Sequence, residues 1–465
     1  MSQRSPKDLP GFLHQLRSSA PQDILTVKRE VDPRLELAAV VKKLELEGKY
    51  PVILFEKVKG SRFPVVAGVH ATRERLALAL DSTASRIAED YLKRRTALVP
   101  PVRVESGPAQ QVVRTGDQVD LGALPIVTHC EGDAGPYIGA GVVVAKDPTS
   151  DVVNLGIYRM MLKGRNRLSL HINRFHHLAE LIRRAEARGE GLECAVVIGH
   201  HPAFQIASQT RLPITVDSYH EAGALFGGPL PVVAARTVSL DVPAHAEIVL
   251  EGKVLPGVLE PEGPFGEFTY YYGSDAKANV VEVSAITHKA EALYLDLHNV
   301  HAEHRVLWIC PVREANILSK VRDLLPNTRA VSIPSSGAGL HVYVSIMKLR
   351  EGDGKNALMA AFGADHYAKL VVVVDEDVDV FDEKQVLWGI ATRFQADRDL
   401  YILPGSHCTV LDPSSYSLTD RFTRTGMTTK WGLDATKTLE VPFPERADGL
   451  PREFRDIDLR DYLGG

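Results

Sequence analysis

The feature that most constrains the fold is a change of texture at two places along the chain. Up to about residue 99, and again beyond about residue 310, apolar runs alternate with helical patterns. Between them, short β-branched runs are separated by Gly, Pro, Asp and Asn. Alternating strand and helix builds an open α/β sheet. Many short strands with turn residues between them build a barrel or closed sheet. The sequence therefore predicts an α+β / α/β multidomain chain: an N-terminal α/β segment over 1–101, a barrel-like domain over 102–308, and a C-terminal α/β domain with a tail over 309–465. At about 150 residues per domain, a chain of this length fits the same count.

In the first region Leu37, Val40 and Leu44 recur at helical spacing, and Gly48 stops the helix. Strands are expected at 52–58 and 63–69, and helices at 72–80 and 84–95, with Thr72 as an N-cap. Pro100 and Pro101 break the pattern. In the middle region strands are expected at 111–114, 141–145, 152–162, 195–198, 248–253 and 279–287, interrupted by helices at 177–188 and 219–226. Beyond Cys310, helices at 314–325, 355–362 and 383–394 alternate with strands at 330–333, 340–347 and 370–374. The last is a continuous apolar run suited to burial on both faces. The tail from Arg446 is polar and reads as peripheral.

Composition narrows the function classes. Acidic residues outnumber basic ones, 59 to 54, without blocks of like charge. The electrostatic footprint of a duplex binder is missing, so no nucleic acid is expected as partner. The four cysteines are far apart and form no CxxC pair, which excludes a zinc ribbon. The beginning of the chain lacks the apolar core of a signal peptide, and no apolar run approaches the ~20 residues of a membrane span. A cytoplasmic protein without a membrane span is expected.

Four segments carry possible chemistry. In Asn154-Leu155-Gly156-Ile157-Tyr158-Arg159, read as one strand, Asn154 and Tyr158 share a face and Arg159 takes the other. An Asn amide oxygen is a hard metal ligand, and Arg clamps a carboxylate or phosphate; a polar strand ending in a surface Arg is the plainer alternative. The stretch His171-Ile-Asn-Arg-Phe-His-His177 opens a helix, where His can ligate a metal or line an anion site. In His220-Glu221-Ala-Gly223, Glu221 could complete an Asn/His/Glu set suited to Mn²⁺ or Mg²⁺, although no spacing rule joins these segments. Finally, Glu260-Pro-Glu262-Gly-Pro-Phe-Gly-Glu267 reads as a stiff loop holding two carboxylates five residues apart, a pattern in which pKa values can be driven apart for proton transfer. An acidic surface turn is the alternative. Asp375, Asp377 and Asp379 lack the Gly and closing Glu of a calcium loop. His298, His301 and His304 lack a zinc-protease context and read as packing or pocket lining. No Rossmann, Walker or GxSxG pattern occurs.

Taken together, these residues resemble the UbiD family of decarboxylases. NLGIYR, the HHL helix start, ASQT…HEAG, EPEGPFGE, KLVVVVDEDVDVF and WGIATR follow the family's order over nearly the whole chain. The resemblance implies a UbiD-like fold: an N-terminal α/β segment, a central split β-barrel that binds prenylated FMN, and a C-terminal α/β oligomerisation domain. It implies a catalytic network of Arg159, Glu262 and Glu267, and cofactor binding by Asn154, Leu155, Gly156, Ile157, Tyr158, Arg159, His176, His177, Glu221 and Lys369. Asn154, His177 and Glu221 match ligands of a divalent ion, Mn²⁺ or Mg²⁺. His177 rather than His176 keeps the family's spacing of 23 from the Asn. Ala207, Ser208, Thr210 and Glu221 match the surroundings of a monovalent ion, K⁺ or Na⁺. The implied partners are a small carboxylic acid, CO₂, a flavin prenyltransferase that supplies the cofactor, and further copies of the chain in a homodimer or homohexamer.

The implied activity is reversible non-oxidative decarboxylation of an aromatic, heteroaromatic or α,β-unsaturated acid. Asn173 and His176 replace the apolar residue and Gln of the family's acrylic-acid members. With Phe268 and His301 they are expected to line the substrate pocket. Polar pocket groups must be paired, which favours a heteroaromatic acid over cinnamate. A polyprenyl-4-hydroxybenzoate decarboxylase of quinone biosynthesis is the alternative. A reductase-like flavin protein or a non-catalytic decarboxylase subunit would not need the intact Arg159, Glu262 and Glu267 set.

Overall fold

The computed structural model describes residues 7–273, 276–415, 425–447, 456–458 and 461–462, so most of the chain beyond Arg446 lies outside the described residues. Its centre is a nine-stranded sheet that curls into a half-barrel. Two long strands, Ile248–Glu262 and Ala276–His288, form the spine of that sheet. They pair antiparallel from Ile248 opposite His288 to Glu262 opposite Ala276. The pairing shifts register between Glu251 and Gly252 and again between Val254 and Leu259. Each shift bends the hairpin, as β-bulges do. The first site carboxylate, Glu262, is the last residue of the first strand.

Two expectations change here. Residues 152–162 form two strands, Val153–Ile157 and Met160–Gly164, broken at Tyr158 and Arg159. The first pairs with Val142–Lys146, the second with Tyr137–Ile138 and Arg167–Leu170. Changing partners forces the break, so strand alternation does not set the direction of Arg159. Residues 260–267 are also more regular than a loop. Glu260, Pro261 and Glu262 still pair with the return strand, and Phe265–Gly266 pairs with Tyr272–Gly273 across a turn.

The N-terminal sheet runs Ile24–Val27, Val52–Phe55, Val65–Ala67 and then Tyr294–Leu295, so its fourth strand comes from far along the chain. Helices Glu36–Leu46, Arg73–Ala79 and Ile87–Arg95 accompany it. Thr72 caps the second through the Arg75 N–H at 3.3 Å, as its position predicts. The C-terminal sheet has the order Thr328–Ser332, His341–Ile346, Leu370–Asp375, Met427–Ala435, Leu400–His407. Its third strand is buried throughout, as its unbroken apolar run requires.

Among the elements that the sequence reading omits, four show why. Leu9–Ser19 is an amphipathic helix capped by Asp8 that buries Leu9, Phe12, Leu13 and Leu16. Its polar residues face outward and dominate a linear reading. Pro202–Ser208 is buried on all sides and so short that no periodicity develops. The last two strands, Leu400–His407 at the edge of the sheet and Met427–Ala435 beside it, mix polar and apolar residues and so give no clear apolar run. A single apolar cluster runs from Phe12 through Val197 and Leu225 to Val344 and Val373, so the three regions share one core.

Gly252 sits at the first register shift, where a Cβ would lie 2.3 Å from the Glu282 carbonyl oxygen. Gly252→Ala is expected to cost about 1–3 kcal/mol, because the spine must part to admit a methyl group. Thermal melting of the variant should show a clear fall in Tm, and an unchanged Tm would show that the bulge tolerates a side chain.

Candidate active site

The break after Ile157 aims Arg159 at two carboxylates that the sequence places more than a hundred residues away. Its Nε donates to Glu262 Oε1 at 3.0 Å and its Nη2 to Glu262 Oε2 at 2.7 Å. This is the bidentate fork that fixes a guanidinium in plane. Nη1 donates to Glu267 Oε1. All three side chains are almost wholly buried. The Arg159 guanidinium also lies 4.8 Å from the centre of the Phe265 ring, which packs on Tyr137. Gly273 matters at this spot: a Cβ would come within 3.3 Å of Glu267 Oε1 and 3.5 Å of Arg159 Nη1.

A fourth member was not anticipated. His171 Nδ1 lies 3.2 Å from Glu262 Oε2 and 3.4 Å from Arg159 Nη2. The histidine-rich stretch that contains it is legible in the sequence, but nothing in the linear order ties it to Glu262. Tyr137 also faces Glu262 and carried no sequence signal. Burial, reinforced by that carboxylate, raises its phenol pKa. Burial alone would raise the Glu262 pKa. Contacts from His171 and Arg159 outweigh it and hold the carboxyl near about 2. Burial opposes the Arg159 charge, but Glu267 and Glu262 more than offset it and raise its pKa.

A second constellation surrounds a small cleft lined by Asn154, His177, Thr210 and Ser218, with Asp147 and Leu181. Asn154 comes from the strand Val153–Ile157, and His177 is the first residue of the helix His177–Glu186. Burial lowers the His177 pKa. Glu221, on the helix Ser218–Phe226, reaches the cleft through Thr210, whose hydroxyl lies 3.3 Å from Oε1. The same oxygen forms an ion pair with Arg95, 2.9 Å from its Nε, while Oε2 is buried without a hydrogen-bond partner. Ala207 and Ser208 end the helix Pro202–Ser208, and the Thr210 N–H donates to the Ala207 carbonyl at 3.1 Å. Among the described residues no three His, Cys, Asp or Glu side chains gather as a metal site. The candidate cation donors are instead a mixed set in which one carboxylate oxygen lacks a partner.

The remaining candidates are scattered. Asn173 is exposed and its Oδ1 accepts from the Phe175 N–H at 3.1 Å, closing a local turn. His176 is exposed beside Tyr158, with ring centres 5.6 Å apart. His301 is buried on another element, where its Nδ1 caps the helix Ala302–Ile309. Phe268 packs on Trp308, centre to centre 4.7 Å. Lys369 donates to Asp412 and Ser414, each at 2.6 Å. Leu155 and Tyr158 are buried around Gly156, where a Cβ would strike the Tyr158 ring. Asp375 and Asp377 both accept from Arg393, so these carboxylates serve an ion pair.

The site is a buried Arg held by two carboxylates in a half-barrel between two α/β units, and comparison with known proteins identifies the class of this fold as carboxy-lyases. Family models for the 3-octaprenyl-4-hydroxybenzoate carboxy-lyase match at residues 17–95 (N-terminal domain), 101–300 (Rift-related domain) and 306–435 (C-terminal domain). The chain belongs to the UbiD family and is a UbiD-class decarboxylase. It is 38% identical to the anhydromevalonate phosphate decarboxylase of Methanothermobacter thermautotrophicus, over 90% of this chain and 95% of that one. It is 37% identical to the enzyme of the same name from Aeropyrum pernix, over 89% and 91%. The UbiD-class enzyme HmfF from Pelotomaculum thermopropionicum, solved with FMN, superposes with a TM-score of 0.92 at 39% identity, covering 98% of this chain and 100% of that one. The 3,4-dihydroxybenzoic acid decarboxylase of Klebsiella pneumoniae superposes with a TM-score of 0.89 at 30% identity, covering 98% and 99%. An evolved form of HmfF, solved with prFMN, shares the fold. Among the described residues no helix is long and apolar enough to cross a membrane.

The depressed Glu262 pKa links the site to stability. A carboxyl with a lowered folded-state pKa contributes stability above its ordinary value of 4.5, and that contribution is lost as pH falls toward about 2. Glu262→Gln removes it. The variant is expected to melt below wild type at pH 7, and the gap in Tm should narrow as the pH is lowered through this window. A gap independent of pH would show that Glu262 acts by shape alone.

Proposed function

We propose that this chain catalyses the reversible, non-oxidative decarboxylation of an aromatic, heteroaromatic or α,β-unsaturated carboxylic acid with prenylated FMN as cofactor. The observation that carries the reading is the buried fork of Arg159 on Glu262, with Glu267 on the remaining guanidinium nitrogen. Removing CO₂ from an sp² carbon leaves an electron pair with no stabilisation of its own. Prenylated FMN, when bound, supplies the electron sink for that pair. Arg159 orients the departing carboxylate, because a planar cation pairs with a planar anion. Glu262 holds Arg159 in place. Glu267 delivers a proton to the carbon that has lost CO₂ and recovers one from solvent. The reverse sequence fixes CO₂.

The chain's own residues fit the cofactor's phosphate and its ions. The Asn154 oxygen, the His177 imidazole and the unpartnered Oε2 of Glu221 would make an O,N,O donor set suited to Mn²⁺, or Mg²⁺. Thr210, Glu221 and the backbone oxygens of Ala207 and Ser208 suit K⁺ or Na⁺. Leu155, Gly156, Ile157, Tyr158 and His176 would flank the flavin, and Lys369 would turn from Asp412 toward its phosphate side. A flavin prenyltransferase would supply the cofactor, a cytoplasmic homodimer or homohexamer would be the working form, and domain boundaries would fall near 101 and 308.

For the substrate, we propose a heteroaromatic acid from the polar character of Asn173, His176 and His301 beside Phe268, although Asn173 closes a local turn and His301 caps a helix. The identity to anhydromevalonate phosphate decarboxylases favours a second reading, an aliphatic phosphorylated acid. The test is CO₂ release from pyrrole-2-, furan-2- and indole-3-carboxylate, 3,4-dihydroxybenzoate, cinnamate and anhydromevalonate phosphate, using protein co-produced with a flavin prenyltransferase. A heteroaromatic acid as best substrate supports the first reading, anhydromevalonate phosphate the second, and no release from any of them opposes both. Glu267→Gln is expected to keep its flavin and lose turnover by about 10²-fold or more, since an amide cannot provide the proton. Turnover within a few-fold of wild type at equal flavin content would remove Glu267 from the mechanism. His177→Ala is expected to purify with little flavin and no Mn²⁺. Full flavin absorbance in that variant would shift attention to His176.

A further inference from the structure

The turn that follows Glu267 carries three tyrosines in a row, and Tyr270 is the one whose ring meets two cations. The Glu267 N–H donates to the Tyr271 carbonyl at 3.0 Å, and the Tyr270 N–H donates to the Glu267 carbonyl at 2.9 Å. Tyr270 itself sits in the left-handed region with φ 64°, which is rare for a bulky residue and persists only where surroundings enforce it. Two cations face its half-exposed ring. Lys42 Nζ lies 4.8 Å and the Arg305 guanidinium carbon 4.6 Å from the centre of the Tyr270 ring. Both distances are within the range of a cation–π attraction.

The two cations come from different elements and share one anchor. Lys42 and Glu45 lie on the helix Glu36–Leu46, and Arg305 on the helix Ala302–Ile309. Glu45 pairs with Lys42 through Oε2 and with Arg305 through Oε1 at 3.2 Å. Glu45 Oε1 also accepts from the Ala302 N–H at 2.8 Å, and Lys42 donates to the Val300 carbonyl at 3.0 Å. Arg305 is buried, and its Nε and Nη1 have no hydrogen-bond partner. The ring of Tyr270 is therefore the group that receives the face of this cation.

We propose that Tyr270 is a positioning residue: clamped by Lys42 and Arg305, it holds the 267–271 turn so that the Glu267 carboxyl stays against Arg159. The proposal rests on the reading of Glu267 as proton donor and extends it to how that group is aimed. Glu267 is only three residues from Tyr270, so displacing the ring displaces the carboxyl. A shift of about 1 Å in a catalytic group costs up to about 10²-fold in rate.

The discriminating variant is Tyr270→Asn, because Asn accepts the left-handed backbone but offers no ring. Exchange of the Glu267 and Tyr270 amides in the purified holoenzyme is expected to accelerate about tenfold or more, since the turn loses its hold. With the best acid of the panel above, kcat should fall about tenfold or more, KM should stay within about threefold, and flavin content should be unchanged. Tyr270→Phe keeps the ring and should restore both exchange and kcat. Lys42→Met, which removes one cation from a distance, should shift both readouts the same way by a smaller amount, and it serves if Tyr270→Asn does not fold. Unchanged exchange in Tyr270→Asn and Lys42→Met would overturn the clamp. Faster exchange with unchanged kcat would overturn its link to turnover. The Glu267→Gln measurement judges the proton-donor reading separately.

Discussion

The site depends on one buried ion pair, the two-point contact between Arg159 and Glu262. Taking an isolated guanidinium or carboxylate out of water costs several kcal/mol, and mutual attraction repays this only in good geometry. Glu262 is buried and accepts from both Nε and Nη2, so the geometry is good. The pair leaves Nη1 for Glu267. Stability alone would not select such a network, since apolar side chains of the same volume would serve as well. Its value lies in presenting one oriented cation in a dry place.

Three backbone features deliver those side chains. The strand break at Tyr158 turns Arg159 away from the direction that simple alternation would give it. The bulged hairpin carries Glu262 to its far end. The short ribbon of Phe265–Gly266 with Tyr272–Gly273 then folds Glu267 back. Gly273 lets that ribbon approach so closely that its missing Cβ leaves room for Glu267 and Arg159 together.

The helix Ala302–Ile309 links this turn to the rest of the molecule. Glu303, fully buried, accepts from the N–H groups of Gly68 at 2.8 Å and His70 at 3.0 Å, which ties the N-terminal sheet to it. Arg305 reaches Glu45 and Tyr270. Trp308 packs on Phe268, on Tyr367 of the C-terminal domain and under Arg313. One short helix thus touches all three regions and the turn that bears Glu267.

The sequence by itself determined the order of elements and the family. Helical spacing marks Glu36–Leu46, and an unbroken apolar run marks Leu370–Asp375, because burial demands those patterns locally. NLGIYR and EGPFGE also name Arg159, Glu262 and Glu267, since short motifs are legible where chemistry needs fixed residue types. Only tertiary structure decided what each of these residues meets. It joined His171 and Tyr137 to Glu262 and gave Glu221 to Arg95 as well as Thr210. It used His301 to cap a helix and paired Lys369 with Asp412. The physical reason is that hydrogen bonds and ion pairs act over a few ångströms in space, and their partners here are separated by long stretches of chain. Local patterns fix which face of an element is buried, but the competition among nearby donors and acceptors is settled only once the elements have packed.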